Sequence, residues 1–114
     1  MSLIRTETFR RLIEEAIAER VVLFLRYHGV ERTVEPHILG IVGHGRLALS
    51  GWQIAGTGRG WRLFHLDEVE ELQHTSGRFS KTAIGYNPED PSFGSILRRF
   101  EPASPAGTKV RPFR

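Results

Sequence analysis

Apolar residues recur near the start of the chain in a helical rhythm. Phe9, Leu12, Ile13, Ala16 and Ile17 fall at the spacing that builds one apolar stripe, while Arg10, Arg11, Glu14, Glu15 and Glu19 take the other side. The spacing predicts an amphipathic helix over about Glu7 to Arg20, with Glu7 in its first turn and Arg20 in its last, where the helix dipole favours those charges. A free DNA-recognition helix would carry a strongly basic outer face. This one is mixed, so it is expected to pack on the rest of the domain.

From Val21 the period shortens. Val21 to Tyr27 is a β-branched and aromatic run of strand length, followed by His28-Gly29, a pair suited to a two-residue hairpin turn. Arg32 to Val42 reads as a second strand in which Pro36 marks an edge position or a bulge. After Gly43-His44-Gly45 comes a third strand, Arg46 to Ile54. The glycine loop Gly56-Thr57-Gly58-Arg59-Gly60 then leads into a fourth, Trp61 to Leu66. Val69 to His74 is a fifth. In the fourth strand Trp61, Leu63 and His65 share one face, and Arg62, Phe64 and Leu66 the other.

Beyond Thr75, Ser76 to Asn87 reads as loop. Asp90-Pro91 then has the form of an N-cap followed by proline at the first helical position. Phe93, Ile96, Leu97 and Phe100 would be the stripe of a short C-terminal helix ending in Arg98 and Arg99. The expectation is a mainly β domain: a small five-stranded barrel preceded by one amphipathic helix and followed by a short one. Residues 1–100 form this single domain, and 101–114, rich in Pro, Ala, Ser and Gly with Lys109, Arg111 and Arg114, are expected to be a flexible basic tail.

Composition narrows the chemistry. At 114 residues there is room for one core. Without cysteine, disulfides, thiolate nucleophiles and cysteine zinc sites are excluded. No apolar run approaches a membrane span and no secretory pattern opens the chain, so a cytoplasmic location without membrane attachment is expected. Of 16 basic residues only Lys81 and Lys109 are lysine. Arginine grips phosphate through a planar fork and stacks on rings, although a GC-rich coding sequence yields the same bias.

Charge is also unevenly placed. Between Glu35 and Asp67 there is no acidic residue, whereas 13 acids in 114 residues would put roughly three or four there. The window holds both tryptophans with Arg46, Arg59, Arg62, His37, His44 and His65. Arginine beside aromatic rings without carboxylates suits an anionic, flat ligand; strands are also poor in acids for ordinary reasons. The glycine loop lacks the Lys-Ser/Thr and following helix of a phosphate-binding loop. The five histidines show no metal-ligand spacing, and Asp67, Glu68, Glu70 and Glu71 form one polar run with no nucleophile beside it. Neither an enzyme nor a cofactor is expected.

Three segments, in order, carry a resemblance: Leu23-Phe24-Leu25-Arg26-Tyr27, Arg32-Thr33-Val34-Glu35-Pro36, and Trp61-Arg62-Leu63-Phe64-His65-Leu66-Asp67. Over roughly Leu12 to Phe79 the chain resembles the WYL domain family, with Leu47-Ala48-Leu49 at the place of the naming triplet and His65 and Glu68 at two basic positions of the family's pattern. The resemblance implies an Sm-like, SH3-type barrel preceded by a helix. It also implies a bacterial role in transcription regulation, sensing nucleotide or nucleic-acid ligands, here without a DNA-binding domain in the same chain, so that a separate regulator is a possible partner.

Arg62 matches a family arginine and opens a strand beside Gly60. Arg32 and Arg46 could join it from neighbouring strands, His65 could add a pH-dependent donor, and Trp52 a stacking surface. The expected ligand-binding set is therefore Arg32, Arg46, Trp52, Arg62 and His65, for a nucleotide or single-stranded nucleic acid. Two rival expectations stand beside it: a homo-oligomeric assembly module built on exposed strand edges, and non-specific nucleic-acid binding through Arg98, Arg99 and the tail.

Overall fold

The first helix, α1, runs over Leu3–Glu19 in a computed structural model that describes residues 3–102. The expected tail lies outside the described residues from position 103 onward. Phe9, Ile13, Ala16 and Ile17 are buried, and Leu12 packs partly buried against the same core, so the apolar stripe is the packed face. Because α1 begins at Leu3, Glu7 lies beyond its first turn. Arg20 adopts a left-handed φ of 61° just past its end, so neither charge occupies the dipole position expected of it.

Six strands follow: β1 (Val21–Tyr27), β2 (Val30–Val42), β3 (Arg46–Ala55), β4 (Gly60–His65), β5 (Val69–Arg78) and β6 (Ser95–Arg99). His28 and Gly29 both take positive φ, 52° and 76°, the combination that joins two antiparallel strands without splaying them. Single 3-10 turns at Gly43–Gly45 and Leu66–Glu68 make two of the other connections.

All pairings are antiparallel, in the path order β4-β3-β2-β1-β5, with β6 also on β2. Strand β2 is long enough to serve three partners. β3 pairs along Thr33–Val42, which leaves one edge for β1 at Val30–Val34 and for β6 at Ile38–Ile41. Between those two stretches the register shifts at Pro36/Ile38, so the bulge anticipated at Pro36 marks where one neighbour replaces the other. The expected five-stranded closed barrel is thus corrected to a six-stranded sheet that does not close. Leu66–Glu68 turns the chain from β4 into β5 without a ladder between them, and each of these strands ends the path. Phe64 from β4 and Val69 and Leu72 from β5 nevertheless meet the α1 stripe, Leu23, Leu25, Leu39 and Leu49 in one core.

The short C-terminal helix is also corrected. Asp90 does cap locally, its Oδ1 accepting the Ser92 N–H at 2.8 Å, but the turn goes no further. The Gly94 N–H donates to the Ile41 carbonyl at 2.8 Å and residues 95–99 continue as β6 on the free edge of β2. An open strand edge outcompetes a helix that would have had to run through glycine. Phe93 and Ile96 then cover Ile38 and Ala48 on the outer face of the sheet, and Phe100 enters the main core. Among the described residues no helix is long and apolar enough to cross a membrane.

Candidate ligand-binding cleft

Arg32 and Arg62 come together, around the glycine loop. Arg32 donates from Nη1 to Gln53 Oε1 and Thr57 Oγ1, both at 3.3 Å, and from Nη2 to the Tyr27 carbonyl at 3.1 Å. Its guanidinium lies over the rings of Tyr27 and Phe64, at 5.5 and 5.7 Å from their centroids. Arg62 donates to the carbonyls of Trp61, Gly58 and Thr57 at 2.9, 3.0 and 3.4 Å. Buried Gln53 adds two bonds, to Thr57 Oγ1 and the Gly58 carbonyl. The loop is therefore braced from beneath. The acceptors of both arginines are neutral, and most of their donors are spent on the loop.

Arg46 stands apart, at the other end of the β3–β4 ladder. Its Nη2 donates to Asp67 Oδ1 at 2.8 Å and to Glu68 Oε2 at 2.6 Å. Glu68 also accepts from His28 Nε2 and from the Tyr27 hydroxyl. The bonds from Arg46 and His28 hold the Glu68 carboxyl down at about 2, and the two carboxylates push the Arg46 guanidinium up. Arg46 is thus the centre of an ion-pair cluster rather than an open anion fork. His65 lies across from Ala48; its backbone N–H donates to the Tyr27 hydroxyl, and its Nδ1 is buried with no hydrogen-bond partner among the described residues.

Trp52 lies on the outer face, half-buried, and its register partners are Glu35 on β2 and Trp61 on β4. The two indoles meet edge to face, centroids 5.6 Å apart. Together with Glu35, Ile54 and Arg59, Trp52 forms one side of an open cleft of about 470 Å³, and residues 78–84 form the other. That second wall brings Arg78 and Lys81. Arg59, Arg78 and Lys81 are exposed, and none has a carboxylate in salt-bridge range among the described residues. Among the described residues Glu35 is the only acid lining the cleft. Burial pushes its carboxyl up, with Arg59 pulling the other way.

The 78–84 wall is held by a histidine. His37 is wholly buried, with Trp61, Phe79, Tyr86 and Phe100 around its ring at 4.9 to 5.6 Å. The Ala83 N–H donates to Nε2 at 3.1 Å, which requires an unprotonated nitrogen there. Nδ1–H therefore donates to the Glu35 carbonyl at 2.8 Å. The ring is neutral, and burial lowers its proton affinity further than the Glu35 bond restores it. The Phe79 N–H to the Arg20 carbonyl and Trp61 Nε1–H to the Ile84 carbonyl complete the attachment.

Of the residues expected to bind ligand, Trp52 lines the cleft, Arg32 and Arg62 support the loop that carries Arg59, and Arg46 and His65 lie away from it. Arg78, Lys81, Glu35 and His37 were not expected in the site. They lie 15 to 29 residues from Trp52 in the chain, with no local period; the aromatic surplus of Phe79, Tyr86 and Phe100 was the available signal. The arrangement offers a ring for stacking, one carboxylate and three cations outside salt-bridge range of any carboxylate among the described residues, of which Arg78 also donates from Nη1 to the Glu19 carbonyl at 3.1 Å. Among the described residues no three His, Asp or Glu side chains gather to hold a metal. Compared with known proteins, the chain matches no family model, no curated protein and no solved structure, so the cleft is read from its own chemistry.

Proposed function

We propose that this chain is a non-catalytic binding domain that takes a nucleotide or a stretch of single-stranded nucleic acid in the Trp52 cleft. The base stacks on Trp52, and phosphate oxygens meet Arg59, Arg78 and Lys81. The observation that carries this reading is the cleft itself: a half-buried indole facing three cations, none of them within salt-bridge range of a carboxylate among the described residues. Base–aromatic stacking contributes about 1–3 kcal/mol per base, and the cations add a salt-dependent term. The WYL resemblance supports the same ligand class. It extends the proposal to a bacterial, cytoplasmic sensing role beside a separate DNA-binding regulator, with the curled sheet as an open variant of the SH3-type barrel.

Intrinsic fluorescence titration with nucleoside monophosphates and a thymidine hexamer tests this. Wild type is expected to bind with an affinity that falls as salt rises, and Trp52→Leu or the pair Arg59→Glu, Lys81→Glu to weaken binding about tenfold or more. Arg46→Ala should leave it unchanged. Equal binding by wild type and the charge-reversed pair would overturn the reading.

A second reading rests on the strand edges. β4 pairs only with β3, and its outer edge presents Leu63, 39% exposed, among the described residues. Such an edge can pair with a second copy of the chain. A stable dimer by light scattering, without nucleotide binding, would favour this assembly role instead.

A further inference from the structure

Within the cleft one residue has the wrong sign for phosphate. Among the described residues Glu35 is the sole carboxylate there, directly opposite Trp52 in the β2–β3 register. Facing residues in paired strands project on the same side, with their Cβ atoms about 4.5–5.5 Å apart. A base lying on the Trp52 ring therefore has this carboxylate at its edge. We propose that Glu35 makes the cleft selective for guanine, accepting the N1–H and the exocyclic N2–H of the stacked base with its two oxygens. The inference rests on the nucleotide reading above and adds to it which base is taken.

Guanine is distinguished by its hydrogen-bonding edge. Guanine places two N–H donors side by side, and a carboxylate accepts two parallel bonds in that geometry, as it does from arginine. Adenine and cytosine set a donor beside a ring acceptor, and uracil flanks its single N–H with two carbonyls. Each of those edges turns a lone pair toward at least one carboxylate oxygen, so the same group that attracts guanine repels the others. The state of Glu35 fits this use. Among the described residues its carboxylate has no hydrogen bond or ion pair, and Arg59 acts on it only at longer range. A half-buried carboxylate without a donor gains from a ligand that brings two. The phosphate is left to the cations across the cleft, Arg78 and Lys81, and to Arg59 at its end.

The test titrates the full chain, wild type and Glu35→Gln, with GMP, IMP, AMP and CMP. Thymidine hexamers carrying one central guanine or one central adenine are titrated alongside. Wild type should bind GMP at least tenfold more tightly than AMP or CMP, with IMP, which lacks the N2 amine, in between. Glu35→Gln should weaken GMP and strengthen AMP, whose donor–acceptor edge an amide complements, so that the preference for GMP is lost. Preference for the guanine hexamer over its adenine counterpart supports the assignment equally, and the tighter of mononucleotide and hexamer identifies the source of the base. If wild type binds all four mononucleotides and both hexamers alike, or Glu35→Gln keeps the GMP preference, guanine selectivity is overturned while the nucleotide reading stands. If nothing binds, both fall together.

Discussion

His37 sits at the start of the acid-free window, where a sequence reading sees a possible ligand. Its neighbours make it a fastener. The ring donates to the strand that bears it and accepts from Ala83, tying the cleft's second wall to β2. Burial keeps its folded proton affinity below the ordinary value of 6.5, so on acidification the unfolded chain takes up this proton first. The contribution of His37 to stability is therefore complete above about pH 6.5 and is lost as pH falls below that value. His37→Phe keeps a ring of similar size, removes the titration and leaves the Ala83 N–H unpaired, at a cost of about 1–3 kcal/mol. The variant should melt lower than wild type at pH 7.5 yet lose less on going to pH 5. Parallel curves of melting temperature against pH would refute the assignment. At this scale the sequence was informative about residue type and poor about role. Trp52 was named from the sequence, and the structure places it half-buried in the wall of the cleft, edge to face with Trp61. Arg46 was misplaced because its partners, Asp67 and Glu68, belong to a turn that only the fold brings beside it.

Elements whose pattern is local were legible to within a few residues. β1 and its hairpin turn follow from the β-branched run and from His28-Gly29, and α1 from its stripe. β6 was read as a helix because Phe93, Ile96, Leu97 and Phe100 satisfy a helical period as well as a partly buried strand does. What decides between them is a free edge on β2, more than fifty residues away in the chain. Gly40 makes that pairing possible: a Cβ there would collide with the Ser95 carbonyl oxygen and the Phe93 ring. Gly40→Ala is expected to destabilise the protein by about 1–3 kcal/mol, the usual cost of forcing extra volume into a packed contact. Hydrogen exchange should locate the damage, with amides of residues 95–99 losing protection well before those of β1 and β3. Uniform loss across the sheet would show that β6 is not a separable element.

For the whole molecule, the mainly β architecture with a helix in front was legible, because hairpin-forming turns and strand-length runs outnumber everything else. Closure was not. Five short strands at regular spacing are equally compatible with a closed barrel and with a curled sheet joined by a 3-10 turn, and the sixth strand was hidden in an apparent helix. The distribution of charge also acquires meaning only when folded. The window that lacks acids begins just after Glu35, and the sheet turns that boundary residue into the one acid among the described residues that line a cleft with three cations. Its burial has a thermodynamic consequence. Because the folded protein raises its proton affinity, the unfolded chain ionises first as pH rises, and Glu35 subtracts from stability once it is charged. Glu35→Gln should accordingly raise the melting temperature at pH 7 and lose that advantage in acid, which thermal denaturation at the two pH values would measure. A lineage selected only for robustness would discard this carboxylate, so its presence or loss across related chains would record whether the cleft is still in use.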